Sequence, residues 1–434
     1  MDFLFKNVTA ITMDGARPLL EGGFVGVTGR DIVYIGERAS EEHAKQTVDC
    51  KGKLMLPGLI NAHCHIAAAS MRGYADDMPL EPWLFEKIFP AEGRLDREAV
   101  RISSLVGIAE LIRNGVTTAA DMYFYIGETA AAALESGINL NTCNALVALD
   151  DANADFTKDR SYTDFLEVLN NYHMANGGQI RLDASIHGEY TSGPRGWAFE
   201  AELAQKHGLG MQLHLSETKK EHEECITRRG KTPAQCLAEH GVFDVRAAAA
   251  HCVWVSEEDI ALLAEKGVSA VYNPLSNLKL ASGIADVGAL QRGGVNVALG
   301  TDGASSNNSY DLLTELKIGS LLQKQRSGDP LALRACEALR LATVNGARAL
   351  SRENETGALR EGLRADIILL DMNSPSLAPC YDPYSAAAYS SRGSDVCFTM
   401  ANGRVLYEGG EWKTIDVERA LRGMKEHVMP LVRG

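Results

Sequence analysis

Residues 54–66 read LMLPGLINAHCHI. An apolar stretch carries two histidines at its far end, one residue apart. Side chains two apart on a β-strand project to the same face, so His63 and His65 point together and Cys64 turns away. Two imidazoles on one face can reach a single metal ion. That spacing also arises by chance on half-buried strands, so the pair needs support from the rest of the chain.

Support comes downstream, where apolar runs alternate with helical stretches through ISSLVGIAELIRNG, VTTAADMYF, AAALESG, RLDASIHG, MQLHLSE, AAAAHCV, VSAVYNP and VNVALGTDG. Strands alternating with helices predict a parallel α/β sheet. No GxGxxG turn is present to suggest a doubly wound nucleotide-binding sheet. The segment 57–350 suits the roughly 250 residues typical of a (β/α)8 TIM barrel with insertions. In such a barrel the carboxyl ends of the strands form the active face. His214 closes GMQLH, His251 closes AAAAH and Asp302 follows VNVALGT. His and Asp are seldom buried without a partner, so strand ends that each deliver one such residue to a common face point to a metal site.

Glu217 lies three residues beyond His214 in HLSET, past the strand, where it can reach over a metal as a proton shuttle without ligating it. An acidic residue opening a helix also suits the helix dipole, which is the plainer explanation of Glu217 taken alone. No lysine occurs between Lys158 and Lys206, the interval in which a bridging carbamylated lysine of a two-metal site would be expected. One metal per chain is therefore favoured. His187, which ends RLDASIH, is expected to touch substrate rather than metal.

The flanks read differently. Residues 1–56 hold FLFKNVTAIT, FVGVTG and IVYIGE, and residues 351–434 hold ADIILLDM, VCFTMANG and RVLYEGGEW, all short strands punctuated by glycine. The expectation is a small β-sandwich built by both chain ends, with a closing helix, beside the barrel of residues 57–350.

Composition narrows the function. The chain has 434 residues, 45% hydrophobic and 23% charged, with a formal net charge of −14. An acidic surface repels nucleic acid and anionic membranes, so a small-molecule substrate is expected. The opening MDFLFKNVTAITMDG lacks a basic region followed by an apolar one, and the protein is read as cytoplasmic and homo-oligomeric. Nine cysteines lie scattered without a CxxC pair and are expected to be reduced packing residues.

Taken together, LPGLINAHCH, MRGYADDMPLEPWLFEKIFPAE, IRNGVTTAADMYF, HLSETKKE, AAAAHCVWVS, NPLSNLKLASGIADV, LGTDGASSNNSYDLLTE and LREGLRADIILLDM resemble the amidohydrolase superfamily over essentially the whole chain. Within it the chain is similar to the branch of S-adenosylhomocysteine/5'-methylthioadenosine deaminases, related to triazine chlorohydrolases and guanine deaminases. The resemblance implies that His63, His65, His214 and Asp302 bind one divalent metal, zinc before iron, and that Glu217, His251 and Asp302 act on water and substrate. It further implies that Glu92 meets ribose hydroxyls, His187 and Glu217 the purine ring, and Trp83 the apolar wall. Arg160 is a candidate for a charged substrate tail. The implied reaction replaces the exocyclic 6-amine of an adenine nucleoside by oxygen, releasing ammonia. A metal with one open position supports it by lowering the pKa of bound water toward ~7. Deamination of a free base such as guanine, or a triazine-type hydrolysis, would use the same ligands. A non-catalytic scaffold of the same fold is disfavoured, since a relieved site would be expected to shed its costly buried charges.

Overall fold

A computed structural model of the chain describes residues 1–38 and 43–434. The chain enters through β1 (Phe3–Ile11), β2 (Leu19–Thr28), β3 (Asp31–Gly36), β4 (Gln46–Asp49) and β5 (Lys53–Pro57). It then lays down eight parallel strands, β6 (Leu59–Cys64), β7 (Val116–Tyr123), β8 (Asn139–Asn144), β9 (Ile180–Ser185), β10 (Met211–Leu215), β11 (Ala247–His251), β12 (Ser269–Tyr272) and β13 (Asn296–Leu299). It ends with β14 (Ile367–Asp371), β15 (Val396–Ala401), β16 (Arg404–Glu408), β17 (Glu411–Trp412) and short helices.

The eight parallel strands follow one another in chain order from β6 to β13, and the helices between them cover the outside, as a barrel requires. Its edges meet through side chains. Asn61 on β6 donates to Thr301 Oγ1 at 2.7 Å and accepts from the Thr301 N–H at 3.1 Å, and the Asp302 N–H donates to the His63 carbonyl at 3.1 Å. That last bond ties Asp302 directly to a histidine of the opposite edge. Gly300, just before this seam, is required by space: a Cβ there would stand 2.4 Å from Asn273 Oδ1 and 2.8 Å from the His63 carbonyl.

Hydrogen bonding runs unbroken through the nine strands supplied by the two chain ends, in the order β17-β16-β15-β14-β5-β1-β2-β3 with β4 on β1. The joint is the antiparallel pair β5 and β14, which sets Leu56 against Ile368. The expected sandwich is thus one continuous sheet that curls over its own core. Phe5 meets Phe398 edge-on at 5.8 Å, and Val25, Ile32, Met55, Ile367 and Met400 are buried with them. Among the described residues no helix is long and apolar enough to cross a membrane.

The barrel floor is polar. Asp183 on β9 accepts from Gln212 at 3.0 Å and Asn141 at 3.2 Å and pairs with Arg246. Below it the buried Arg352 donates to Asn141 Oδ1 at 2.7 Å and to the carbonyls of Gly178, Leu140 and Gln179 at 2.9 to 3.1 Å. Burial presses its guanidinium down to about 9, opposed by the carboxylates of Glu355 and Asp366. Removing it takes the donor from the Asn141 side-chain oxygen and the Gly178 carbonyl, and a buried acceptor left without a partner costs about 1–3 kcal/mol. Arg352→Met is expected to lower the thermal unfolding midpoint by at least several degrees, measured by circular dichroism, with no direct effect on the far end of the barrel.

Candidate active site

At the carboxyl end of the barrel, His63 is the penultimate residue of β6 with His65 just beyond the strand, His214 comes from β10, His251 is the last residue of β11, and Asp302 follows β13. His63, His214, His251 and Asp302 each offer a ligand atom, all within 4.8 Å of one another. His65 Nε2 stands 3.1 Å from Asp302 Oδ1 and 3.3 Å from His214 Nε2, and His63 Nε2 stands 3.5 Å from the same carboxylate oxygen. Every residue singled out in the sequence as a ligand meets here, with His251 in addition. Cys64 faces away as the alternation predicts, its thiol turned to the Ala120 carbonyl, and Cys252, just past β11, turns its thiol to the Ala249 carbonyl.

The histidines are arranged to present lone pairs inward. His65 Nδ1–H donates to the Met122 carbonyl at 2.6 Å, His214 Nδ1–H to the His187 carbonyl at 2.6 Å, and His251 Nδ1–H to Asn277 Oδ1 at 2.8 Å. Each such bond takes up the Nδ1 proton and turns Nε2 toward the centre of the cluster, which is how metal-ligating histidines are held. His63 Nε2 is buried without a hydrogen-bond partner. Buried lone pairs facing one another beside a carboxylate repel unless a cation stands between them, so this donor set fits a divalent metal with nitrogen and oxygen ligands.

The electrostatics agree. Burial holds His63 down to about 4 and His214 well below its ordinary value, keeping both neutral and free to ligate. His65 differs: burial works against its charge too, but its hydrogen bond and attraction to Asp302 prevail and carry it up to about 9, so a positive charge is favoured at its Nε2. Burial opposes charge on Asp302, yet the imidazoles of His63 and His65 set against its carboxylate hold it well below the usual range. Ser216, His251 and Asp302 adopt left-handed backbone at φ 46°, 74° and 60°. Such conformations cost on the order of 1–3 kcal/mol each in a non-glycine residue and gather at functional sites.

Above the cluster opens a cavity of about 440 Å³, within the range of small-molecule sites. Glu217, His187, Glu92, Trp83 and Arg160 all line it, with Phe89, Phe124 and Tyr190. Glu217 is buried; its Oε1 accepts from Ser282 Oγ at 3.0 Å and its Oε2 stands 3.8 Å from His251 Nε2. Burial raises its carboxyl, against the pull of His251. His187 packs on His214 at 4.7 Å and on Phe89 at 5.8 Å, and burial lowers it to about 3, so it is neutral. Glu92 is raised to about 7 by burial, opposed by the Tyr123 hydroxyl and by His65 and Arg160. The Arg160 guanidinium lies over Phe124 at 4.7 Å and Tyr125 at 4.8 Å.

Several residues of the site lie within the stretches quoted above but were given no role there. Ser276 and Ser306 donate to Asp302 Oδ2 at 2.6 and 2.7 Å. Asn277 and Ser282 hold His251 and Glu217 as described. Glu221 accepts from the backbone N–H groups of Ser216 and Glu217 at 3.0 and 2.7 Å, fixing the turn that carries Glu217. Only Glu221 left a trace, as the fourth residue of T-K-K-E, where an acidic side chain caps a helix start.

With this geometry in hand, comparison with known proteins is specific. The Amidohydrolase family profile matches residues 54–406. The chain is 42% identical over all of its length, and 99% of the relative's, to 5-methylthioadenosine/S-adenosylhomocysteine deaminase of Caldanaerobacter subterraneus subsp. tengcongensis. It is 39% identical to 5'-deoxyadenosine deaminase of Methanosarcina barkeri, over 99% of this chain and 98% of that one. The crystal structure of an adenosine deaminase from Xanthomonas campestris with bound zinc superposes with a TM-score of 0.93 at 29% identity, covering 100% of this chain and 98% of that chain. The curled two-ended sheet, the barrel and the histidine cluster at its carboxyl end are those of a chain that belongs to the amidohydrolase family.

Proposed function

We propose that the protein is a hydrolytic deaminase of adenine nucleosides, using one divalent metal, zinc in the first place, held by His63, His65, His214 and Asp302. The observation that carries the reading is a pair of carboxylates at two places in one cavity. Glu217 lies beside the histidine cluster, where a proton can be delivered, and Glu92 lies on the segment that also carries Trp83. The names of the relatives agree: they are deaminases of 5-methylthioadenosine/S-adenosylhomocysteine and of 5'-deoxyadenosine.

The metal, when bound, supplies Lewis acidity to the attacking water. Asp302 and His251 orient that water and take its proton, His251 through the Nε2 that its bond to Asn277 leaves free. Glu217, raised by burial, is suited to donate its proton to the ring nitrogen, which makes C6 electrophilic; the proton taken from water by Asp302 and His251 goes to the amine, which departs as ammonia, and the remaining hydroxyl proton returns to Glu217 as the C6 carbonyl forms. His187, neutral and with Nδ1 bonded to Thr191 Oγ1 at 3.0 Å, sets the ring against the pocket wall. Glu92, ionised, accepts from two vicinal ribose hydroxyls, and a free base would leave it with nothing to bind. The Arg160 guanidinium lines the cavity over Phe124 and Tyr125, where it is placed to meet an anionic tail such as the carboxylate of S-adenosylhomocysteine.

The direct test is ammonia release from adenosine, 5'-methylthioadenosine, 5'-deoxyadenosine, S-adenosylhomocysteine and guanine. Preference for guanine would overturn the nucleoside reading and leave the metal hydrolase standing. His63→Ala and Asp302→Ala are each expected to lose metal and activity together, with metal content read by plasma emission; full metal retention in either would refute the ligand set. Glu217→Gln should keep the metal and bind substrate but lose at least about 100-fold in kcat, because the amide has no proton to give. Glu92 must be ionised to accept two hydroxyls, so the KM for nucleosides should fall as pH rises through about 7. Glu92→Ala should raise KM, flatten that pH dependence and affect 2'-deoxy analogues least, since unpaired polar groups discriminate strongly; steady-state kinetics across pH 6 to 8 (on the order of two units around that value) reads all three.

A further inference from the structure

The stretch 273–282 reads NPLSNLKLAS, and its helix Pro274–Lys279 follows β12 at the rim of the barrel. From it, Ser276 Oγ–H donates to Asp302 at 2.6 Å, Asn277 Oδ1 accepts the Nδ1–H of His251 at 2.8 Å, and Ser282 Oγ–H donates to Glu217 at 3.0 Å. Ser276, Asn277 and Ser282 are all buried. Their partners come from three different parts of the barrel, β11 and the turns after β10 and β13, yet they are the groups to which proton transfer is assigned above.

The stretch is itself held firmly. The Leu280 N–H donates to the Ser276 carbonyl at 3.0 Å and the Ser282 N–H to the Asn277 carbonyl at 2.8 Å. The Leu275 N–H donates to the buried Glu315 at 3.1 Å, and the Trp254 indole N–H donates to the Ser282 carbonyl at 2.7 Å. On its outer side Lys279 pairs with Asp76 at 2.6 Å, just ahead of the segment that brings Trp83 and Glu92 over the cavity.

We propose that residues 276–282 form one positioning element that sets Asp302, His251 and Glu217 relative to one another. This rests on the deaminase reading. Asn277 fixes the His251 tautomer so that Nε2 faces the site. Ser276 occupies one oxygen of Asp302 and leaves Oδ1 to the histidines. Ser282 makes the only hydrogen bond to the Glu217 carboxylate among the described residues, and so fixes which way the carboxyl turns. None of the three touches the reacting atoms; they act through the groups they hold.

The test uses the zinc-loaded protein with 5'-methylthioadenosine. Ser282→Ala and Asn277→Leu are expected to lower kcat on the order of 10- to 100-fold, as small misplacements of catalytic groups do, with KM and metal content near the wild type. Ser282→Thr and Asn277→Asp keep the donor and the acceptor and should recover most of the rate. The double variant Ser282→Ala/Asn277→Leu should fall less than the product of the single losses, because the two act through one unit. Nitrogen-15 spectra of labelled histidine should show His251 protonated at Nδ1 in the wild type and in Asn277→Asp, and a changed tautomer in Asn277→Leu. Wild-type kcat in both loss variants, rescue variants as poor as the loss variants, or an unchanged His251 signal in Asn277→Leu would overturn the proposal. If the wild type releases no ammonia from any adenine nucleoside, the deaminase reading fails, and the histidine spectra still decide whether Asn277 sets His251.

Discussion

A carboxylate removed from water has to be matched by hydrogen bonds and opposite charge, and Asp302 is the carboxylate on which this molecule is organised. Its backbone N–H reaches across the barrel seam to His63, one of its oxygens accepts from two serine hydroxyls, and the other faces His63 and His65. Closing the barrel and assembling the histidine cluster are therefore the same event. A strand order that left β13 apart from β6 would lose the cluster, and an Asp302 without its partners would be an uncompensated buried charge.

Much of this was legible in the sequence because it rests on periodicity. The two-residue spacing of His63 and His65, and the placing of His214, His251 and Asp302 where apolar runs stop, follow from strand geometry and from the rule that barrels work at their carboxyl ends. The two-ended sheet was legible as strands but not as one sheet, since nothing in the alternation of β5 or β14 says that Leu56 will lie against Ile368. The buried guanidinium of Arg352 was invisible for a related reason: in SREN it reads as a surface charge, and only the fold supplies its carbonyls. Ser276, Asn277 and Ser282 were hidden because serine and asparagine are ordinary in turns, and their partners stand 26 to 65 residues away.

The cluster also shows how local strain is tolerated. Left-handed backbone at Ser216, His251 and Asp302 aims side chains that a regular strand end would have turned elsewhere. Each of these residues is pinned from outside, Ser216 by Glu221, His251 by Asn277 and Asp302 by the seam, so neighbours that carry no chemistry maintain conformations that the chain alone would leave.

The shared sheet bears on how the chain is made. During synthesis β1 to β5 emerge first, but the neighbour of β5 in the finished sheet, β14, appears roughly three hundred residues later. The barrel can collect its strands in order as they arrive, each beside the one before it. The amino-terminal strands meanwhile expose an edge with unpaired backbone groups, the kind of surface that invites aggregation. A ribosome pause or a truncation before Ile367 would prolong that exposure, which makes the last sixth of the chain a guardian of its first strands as well as a structural partner.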